Sequence, residues 1–236
     1  IYNMRNAILI TGFNGEIGRQ TLHSLCKRKI HIIALDINYS DIKYDNVMFI
    51  KDSILNQDVI KSIFNDFNII EIYHFAALLS QSANDNPELA NKVNEEGSKA
   101  IINTAMHYAQ TNKSFIKIFF PSSIAVYGPR KLKNAKELDI MKPQTIYGCN
   151  KLAIEQYGTN KHEESLKLGF GIDFRCLRLP GIISPYTIPY GGTTDFAPQM
   201  LHAACNNESF ICKVDPMTIL PFLGIENAVK AIRDIM

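Results

Sequence analysis

The chain has 236 residues, of which 46% are hydrophobic and 20% charged, an ordinary globular composition that suffices for one large domain or for one domain and part of a second. The formal net charge of +2 gives no electrostatic case for nucleic acid or an anionic membrane as a partner, and no stretch approaches the roughly 20 apolar residues of a membrane span. Five cysteines without a C-x-x-C spacing favour reduced thiols over a disulfide framework or a zinc site.

Short apolar runs alternate with apolar residues at helical spacing along most of the chain. The predicted strands are residues 7–11, 31–35, 47–50, 69–76, 116–120 and 174–179. The predicted helices are residues 17–27, about 54–67, a long segment after Pro87, and 147–168. Repeated strand–helix–strand units predict the α/β class, with a Rossmann-type doubly wound parallel sheet and helices on both faces.

The pattern changes after Pro180. Proline, glycine and threonine dominate residues 180–198, and a helix is predicted at about 196–205. We interpret this region as an active-site loop that leads into a small C-terminal substrate-binding part. The predicted division is therefore residues 1–179 for the Rossmann domain and residues 180–236 for the substrate-binding part.

Three glycines with the spacing G-x-x-G-x-x-G follow the first predicted strand and open the first helix, where a dinucleotide-binding loop lies. Gly12 is expected to permit the tight turn, Gly15 to let the backbone approach a pyrophosphate, and Gly18 to allow close helix–strand packing. The N-terminus of the helix then presents N–H groups to the phosphates. The candidate cofactor-binding residues of this loop are Gly12, Asn14, Gly15, Glu16, Ile17 and Gly18.

Acidic residues follow the next two predicted strands. Asp36 stands where a carboxylate accepts hydrogen bonds from the adenosine ribose, and because it repels a 2′-phosphate we infer NAD rather than NADP. The alternative role of Asp36 is to cap a turn. Asp52, followed by Ser53, is expected to end the third strand beside the adenine. The end of the fourth strand is expected to pass under the cofactor, although its small residues equally suit core packing; these residues are Ala76, Ala77 and Leu78.

Tyr147 and Lys151 have the spacing Y-x-x-x-K, which places both side chains on one face of a helix. A lysine ammonium near a phenol favours the phenolate and lowers the phenol pKa, so Tyr147 is a candidate general base. Ser122 and Ser123 lie at the end of the fifth strand, and strand ends of this fold face the cofactor crevice. A serine hydroxyl there would orient a substrate alcohol.

These motifs resemble the extended short-chain dehydrogenase/reductase superfamily, which includes nucleotide-sugar epimerases and dehydratases. The resemblance rests on T-G-x-x-G-x-x-G, the Asp after strand two, H-F-A-A at 74–77, P-S-S-I-A-V-Y-G at 121–128 and Y-G-x-N-K at 147–151. Within that superfamily, A-A-L-L-S at 76–80, N-P-E-L-A at 86–90, P-G-I-I-S at 180–184 and G-G-T-T-D-F-A at 191–197 resemble the epimerase-like L-threonine 3-dehydrogenases. The resemblance covers essentially the whole chain.

The resemblance implies a set of roles for residues of this chain. Tyr147 would take the proton from the 3-hydroxyl of L-threonine, Lys151 would hold the cofactor ribose and tune Tyr147, and Ser123 would bind the reacting oxygen. Hydride would pass from carbon 3 to the nicotinamide, giving 2-amino-3-oxobutanoate without a metal. Further contacts are expected with the substrate from Ser80, Tyr147, Thr193 and Thr194, and with NAD from Tyr147, Lys151, Pro180 and Ile182.

Several of these assignments have alternatives. Thr193 or Thr194 is also a suitable N-cap for the helix that begins near Phe196, and Ser80 could bond only its own backbone. For Asn94 we expect a structural hydrogen bond instead of a ligand contact. Arg178 could be an ion-pair partner, and we do not assign it to the site. At the level of function, the alternatives are a nucleotide-sugar epimerase or dehydratase and a truncated, non-catalytic NAD-binding protein.

The resemblance also bears on assembly and chain length. The helix after Pro87 and the helix from Tyr147 resemble those that pair in dimers of the superfamily, so we expect a homodimer. Family members usually continue well beyond the position of Met236, so we expect the substrate-binding part to be incomplete. The expected compartment is the cytoplasm, or the mitochondrion if a targeting segment precedes Ile1.

Overall fold

The structure is a computed structural model, and it describes residues 4–38, 40–129, 135–186, 192 and 194–236. The strands are β1 Asn6–Thr11, β2 His31–Asp36, β3 Val47–Lys51, β4 Asn68–His74, β5 Phe115–Ser123, β6 Gly171–Leu179, β7 Gly181–Ile183 and β8 Phe222–Gly224. The α-helices are α1 Glu16–Leu25, α2 Gln57–Asp66, α3 Ser80–Asp85, α4 Pro87–Ala90, α5 Ser98–Thr111, α6 Ile146–Leu168, α7 Phe196–Cys205 and α8 Ile225–Ile235. A π-helical segment, Asn91–Gly97, joins α4 to α5, and a 3₁₀ turn, Ile124–Tyr127, follows β5.

Six parallel strands form the central sheet in the order β3-β2-β1-β4-β5-β6. The order reverses between β1 and β4, and in this topology ligands bind outside the carboxyl ends of the strands beside that reversal. The predicted fold class, a Rossmann-type doubly wound α/β sheet, is confirmed. The crevice between the ends of β1 and β4 is therefore where the site residues must meet.

The strands are nearly continuous apolar runs because helices cover both faces of the sheet. Alternate residues of each strand point to opposite faces. Ala7 and Leu9 of β1 pack in a core with α2, α5 and α6, whereas Ile8 and Ile10 pack in a second core with α1. The last helix, α8, joins this second core through Ile232, which is fully buried.

Several strand bounds differ from the predicted ones, and two of the differences concern candidate site residues. β3 ends at Lys51, so Asp52 lies just beyond the strand. β4 ends at His74 instead of Ala76, because its neighbour β1 ends at Thr11, the register partner of His74. Beyond that pair only one further bond, from the Phe75 N–H to the Thr11 carbonyl, continues the ladder. The prediction that Ala76, Ala77 and Leu78 end the strand was wrong, and all three lie in the loop after it.

The long helix predicted after Pro87 is one helical column with a π-helical segment inside it. Pro87 occupies the first turn, and the Asn86 side chain accepts a hydrogen bond from the Leu89 N–H as the N-cap. π-Helical segments are rare and occur frequently at functional sites. This segment carries Asn94, which is 3% exposed and lies close to the end of β4.

The C-terminal part contains a small parallel pair of strands, β7 and β8. Helix α7 has the predicted bounds, and α8 follows β8 directly. Within the described ranges, none of the helices combines the length and the apolar character needed to cross a bilayer.

Candidate active site

The glycine loop lies against the beginning of the loop after β4. Gly12 has a φ of +68°, and a Cβ there would lie 2.4 Å from the Ala76 nitrogen, so both the conformation and the space require glycine. A Cβ on Gly18 would lie 2.4 Å from the Gly12 carbonyl oxygen. Gly15 differs, because its Cβ would meet only that oxygen, at an ordinary 3.5 Å. Two glycines are thus required by protein packing, while Gly15 borders space that a ligand backbone or phosphate can use.

The N-terminus of α1 suits an anion. Gly15 is the N-cap and supplies no side-chain acceptor, and the Arg19 N–H is bonded to the Gly15 carbonyl at 2.8 Å. The preceding N–H groups, those of Glu16, Ile17 and Gly18, belong to the first turn, where an α-helix has no intrahelical acceptors. Together with the open side of Gly15, these groups fit the pyrophosphate of a dinucleotide.

Two side chains of this turn contain buried polar atoms without hydrogen-bond partners within the described ranges. These atoms are the two carboxylate oxygens of Glu16 and the Nε of Arg19. The Arg19 Nη2 donates a short hydrogen bond to the Asn14 Oδ1, so its guanidinium lies beside the glycine loop. The Glu16 carboxylate lies in the first turn of α1, where the helix dipole favours a negative charge.

The Asp36 carboxylate joins the glycine loop to the turn after β2. Its Oδ2 accepts a hydrogen bond from the Asn14 N–H at 3.0 Å, and its Oδ1 accepts one from the Asn38 N–H at 2.9 Å. A carboxylate has about four acceptor positions, so capacity for two ribose hydroxyls is left. Turn capping, the alternative role, is therefore present and does not exclude the ribose role.

Asp52 and Ser53 lie in the turn that leads into α2. The Asp52 Oδ1 accepts from the Ser53 N–H at 2.7 Å, and its Oδ2 accepts from the Asn56 side chain at 3.2 Å. Asn56 is in turn the N-cap of α2. Both Asp52 and Ser53 are partly buried, and the position beside the adenine remains a prediction for them.

An amide side chain from the π-helical segment holds the loop that follows β4. The Asn94 Oδ1 accepts from the Leu78 N–H at 2.7 Å, and its Nδ2 donates to the Leu78 carbonyl at 3.0 Å. The amide of Asn150 on α6 continues this network to the Asn91 Oδ1 at 2.9 Å. Asn94 therefore has the structural hydrogen bonds expected of it, and they fix the backbone that is predicted to pass under the cofactor.

A second buried network crosses the sheet below that loop. His74 is 2% exposed, and its Nδ1 lies 2.6 Å from the Thr11 Oγ1 while its Nε2 lies 2.9 Å from the Ser98 Oγ. Burial, with the nearby charge of Lys151, lowers the pKa of His74 to about 3, so the ring is neutral. In the sequence, His74 belongs to the H-F-A-A motif, and no contact could be predicted for it because its partners lie far away in the chain.

The candidate catalytic pair, Tyr147 and Lys151, lies on the first two turns of α6. Thr145 is the N-cap, with its Oγ1 accepting from the Gly148 N–H at 3.0 Å, and this sets Tyr147 in the first turn. Lys151 is 3% exposed, and its Nζ lies 4.4 Å from the centroid of the Phe120 ring and 5.4 Å from that of Tyr147. The ammonium group therefore lies between the helix and the sheet, directly below the tyrosine.

The pKa values of this pair differ from the sequence-based expectation. Burial raises the pKa of the Tyr147 phenol to about 12 and lowers the pKa of Lys151 to about 7. The charge of Glu155, one turn beyond Lys151, opposes the second effect without overcoming it. The expected lowering of the phenol pKa by Lys151 is therefore absent, because desolvation dominates at both groups.

Ser123 ends β5 and is the N-cap of the 3₁₀ turn, with its Oγ accepting from the Ala125 N–H at 3.2 Å. That bond uses a lone pair of the hydroxyl and leaves its proton available for donation. Ser122, the other serine of the motif, is 2% exposed and donates a hydrogen bond to Glu155 of α6. Sequence reasoning missed Glu155, although its position four residues after Lys151 on one helix face was a usable signal.

The remaining candidates that the structure describes are Pro180 and Ile182 after β6, Thr194 before α7 and Ser80 on α3. Pro180 and Ile182 are partly buried on either side of Gly181, and a Cβ on Gly181 would lie 3.0 Å from the Thr194 Cβ. The N-cap of α7 is Asp195, so Thr194 does not have the capping role considered for it. Ser80 is partly buried as the first residue of α3. Thr193 lies outside the described residues.

Comparisons with known proteins agree on one family. The family model described as NAD-dependent epimerase/dehydratase matches residues 8–236. The mitochondrial L-threonine 3-dehydrogenase of Bos taurus is 35% identical over 233 residues, which cover 97% of this chain and 60% of that protein. The chain therefore spans about 60% of the length of this curated relative, and the same share of the enzyme from Sus scrofa.

Solved structures show the same fold. The structure of L-threonine 3-dehydrogenase from Trypanosoma brucei superposes with a TM-score of 0.85 and 30% identity, covering 97% of this chain and 70% of that one. UDP-glucose 4-epimerase from Thermotoga maritima gives a TM-score of 0.83 at 23% identity, covering 96% and 72%, and so shows the fold alone. On the match of its sequence over nearly its whole length, the chain belongs to the NAD-dependent epimerase/dehydratase family.

Proposed function

We propose that the chain carries out the NAD-dependent oxidation of L-threonine at its 3-hydroxyl group, giving 2-amino-3-oxobutanoate. The observation that carries the proposal is the arrangement of Tyr147 above the buried Lys151, on the helix that packs beside the end of β5. The L-threonine 3-dehydrogenases of Bos taurus and Sus scrofa are 35% and 34% identical to this chain and that of Trypanosoma brucei 30%, whereas the epimerase from Thermotoga maritima is 23% identical. This difference favours the amino acid over a nucleotide sugar.

NAD is the cofactor that the family description names, as Asp36 predicts. When bound, NAD supplies the acceptor for the hydride that leaves carbon 3. The N–H groups of the first turn of α1 would hold its pyrophosphate, and the carboxylate of Asp36 would hold the adenosine ribose. The loop after β4, fixed by Asn94, would lie beneath it.

The residues of the chain divide the proton transfer between them. Tyr147, as the phenolate, would take the proton from the 3-hydroxyl. Lys151, as the ammonium, would stabilise that phenolate, against the burial that favours the uncharged form of each group. Ser123 has its hydroxyl proton available and would donate it to the reacting oxygen. Ser80 and one of Thr193 and Thr194 would hold the carboxylate and ammonium groups of the substrate.

The test mixes purified protein with NAD and L-threonine and follows the absorbance of NADH, with Tyr147→Phe measured alongside. The matched control is Tyr157→Phe, because Tyr157 lies on the same helix and bonds Asn103 on α5 instead of facing the site. NADH formation that needs Tyr147 and not the Tyr157 hydroxyl supports the proposal. Binding of NAD without NADH formation contradicts it, and UDP-sugars are then the next substrates to test.

The assembly, the domain division and the compartment are part of the same proposal. Helices α5 and α6 lie beside each other on one face of the sheet, and by analogy with the superfamily they would pair with those of a second copy. Sedimentation showing only monomer would reject the homodimer.

Residues 180–236 would form the substrate-binding part. For the compartment we propose the cytoplasm, or the mitochondrion, because the bovine relative is named as a mitochondrial enzyme.

A further inference from the structure

A buried ion pair lies one helical turn beyond Lys151. The Arg178 Nε is 3.0 Å from the Glu155 Oε1, and its Nη2 is 2.8 Å from the Oε2, so the contact is bidentate. The side chains of Glu155 and Arg178 are 7% and 17% exposed. Glu155 belongs to α6 and Arg178 to β6, so the pair joins the helix of the candidate catalytic residues to the sheet.

The same pair reaches the strand end that carries Ser123. Ser122 and Arg178 are register partners on the neighbouring strands β5 and β6. The Ser122 Oγ donates a hydrogen bond to the Glu155 Oε1, which is also bonded to the Arg178 Nε. The residue before Ser123 is thereby tied to the same helix face as Lys151.

Arg178 also fastens the segments that flank the site. Its Nη1 donates to the Tyr127 Oη at 2.8 Å, and its guanidinium carbon lies 5.0 Å from the centroid of that ring. Tyr127 closes the 3₁₀ turn for which Ser123 is the N-cap. The Nη1 also donates to the Glu137 carbonyl at 2.7 Å, in the segment that leads to Thr145 and α6.

We propose that Glu155 and Arg178 are positioning residues for the reaction, which hold Ser123 in register with Tyr147 and Lys151; this inference rests on the proposed function. A planar guanidinium with a bidentate carboxylate fixes both distance and orientation, which a lysine in the same place does not. The three catalytic candidates come from α6 and β5, and Glu155 of α6 bonds both Ser122 of β5 and Arg178 of the neighbouring strand β6. Misplacement by about 1 Å is enough to lower a rate by about 100-fold.

The charge of Glu155 adds an effect that a packing role alone lacks. It favours the ammonium form of Lys151, against the burial that lowers the pKa of that group to about 7. His74 on β4, which is neutral, interacts with Lys151. Arg178 and Cys176 on β6 interact with Glu155. Burial, followed by the charge of Glu155, raises the pKa of Cys176 to about 11, so that thiol is neutral too.

The test compares two conservative variants with two matched controls. Glu155→Gln keeps the volume and removes the charge, and Arg178→Lys keeps the charge and removes the planar fork. The controls are Asp173→Asn and Arg175→Lys, which alter a second ion pair on the same strand with no contact to Ser122 or Tyr127. For each variant we would measure kcat and KM for L-threonine, the Kd of NAD and the pH profile.

In Arg178→Lys we expect kcat to fall by about 10- to 100-fold, with the Kd of NAD changed by less than about threefold. In Glu155→Gln we expect the acid limb of kcat/KM to move to lower pH, because the Lys151–Tyr147 pair loses its first proton more readily without the nearby negative charge. Neither effect is expected in the two controls. Lower thermal stability with an unchanged kcat and pH profile would show a purely structural ion pair and overturn the proposal.

Two readouts need no substrate and separate this proposal from the proposed function. Hydrogen exchange at the amides of residues 124–127 is expected to become faster in Arg178→Lys and to stay unchanged in Arg175→Lys. The pKa of Lys151, followed by NMR of labelled lysine, is expected to fall in Glu155→Gln. If wild type binds NAD without oxidising threonine, these readouts still decide about the ion pair, and unchanged values would overturn it.

Discussion

The Lys151 ammonium lies 5.4 Å from the centre of the Tyr147 ring, one helical turn below it and 4.4 Å from the ring of Phe120. Both groups titrate, and the pKa of each is set mainly by burial. Burial moves both towards the uncharged form, with Lys151 at about 7 and Tyr147 at about 12. With these values the first proton is lost near neutral pH, and it comes mainly from Lys151. The proposed base is the tautomer of that state in which the remaining proton is on Lys151, with Tyr147 as the phenolate.

The first prediction concerns the pH dependence of kcat/KM for L-threonine. We expect it to rise as the pH increases through about 7, because the pair must lose one proton before Tyr147 can accept another. In Lys151→Arg the group that titrates near neutral pH is replaced by one that stays charged, so the acid limb should leave that range. A wild-type profile that is flat between pH 6 and 8 would contradict the role given to this pair.

The second prediction concerns the choice between NAD and NADP. In Asp36→Asn we expect the Kd of NAD to rise by about tenfold, since hydrogen bonds to a charged group are worth about 1.5–3 kcal/mol and some bonds persist. Loss of the negative charge should also reduce the preference for NAD over NADP. Calorimetric titration with both cofactors measures this, and Asp41→Asn, at an exposed position after the same strand, is the control. An unchanged ratio of the two Kd values would remove Asp36 from the cofactor site.

Much of the architecture follows from the sequence because it depends on local patterns. The period of apolar residues and the three glycines predict the strand–helix order, and the structure has it. The end of β4 was misplaced because it depends on the length of β1, a neighbour in space. The π-helical turn around Asn94 was missed because it needs only one extra residue per turn within a helical pattern.

The polar networks around the site were harder to predict. His74 bonds Thr11, which is 63 residues away in the chain, and Glu155 bonds Arg178, 23 residues away. No periodicity connects such residues, so only the folded backbone shows that they meet. The expected lowering of the Tyr147 pKa was wrong for a related reason. A Y-x-x-x-K spacing indicates the distance between the two groups, but it does not show how far both are desolvated.

The third prediction concerns acid stability through His74. Its pKa is lowered to about 3 in the folded chain, from an ordinary 6.5, so the unfolded chain binds the proton first. The free energy of unfolding should therefore be unaffected above pH 6.5 and fall by up to about 1.4 kcal/mol per pH unit below it. His74→Gln should be less stable at pH 7 and lack this slope between pH 6.5 and 5. Urea denaturation at several pH values measures it, and equal slopes in both proteins would contradict the buried neutral ring.

The last prediction concerns the Arg28–Glu71 ion pair, away from the site. Burial raises the pKa of Glu71, but the hydrogen bonds and charge of Arg28 outweigh it and lower that pKa overall. The pair therefore stabilises the fold at pH values above the ordinary Glu71 pKa of about 4.5. This contribution is lost as the pH falls through the lowered pKa of Glu71 in the folded chain. Arg28→Ala leaves the carboxylate of Glu71, with a side chain 12% exposed, without its ion-pair partner and with the Tyr73 hydroxyl as a remaining donor.

At pH 7 we expect Arg28→Ala to lower the free energy of unfolding by about 1–2 kcal/mol, less than for a fully buried pair because Arg28 is 42% exposed. The difference from wild type should narrow as the pH falls below 4.5, because Glu71 is then increasingly protonated in the unfolded chain and in the variant. Lys230→Ala is the control, since its pair with Asp234 is exposed and should contribute less than about 0.5 kcal/mol. Equal losses in the two variants under urea denaturation would mean that the burial of Glu71 adds nothing to the strength of its ion pair.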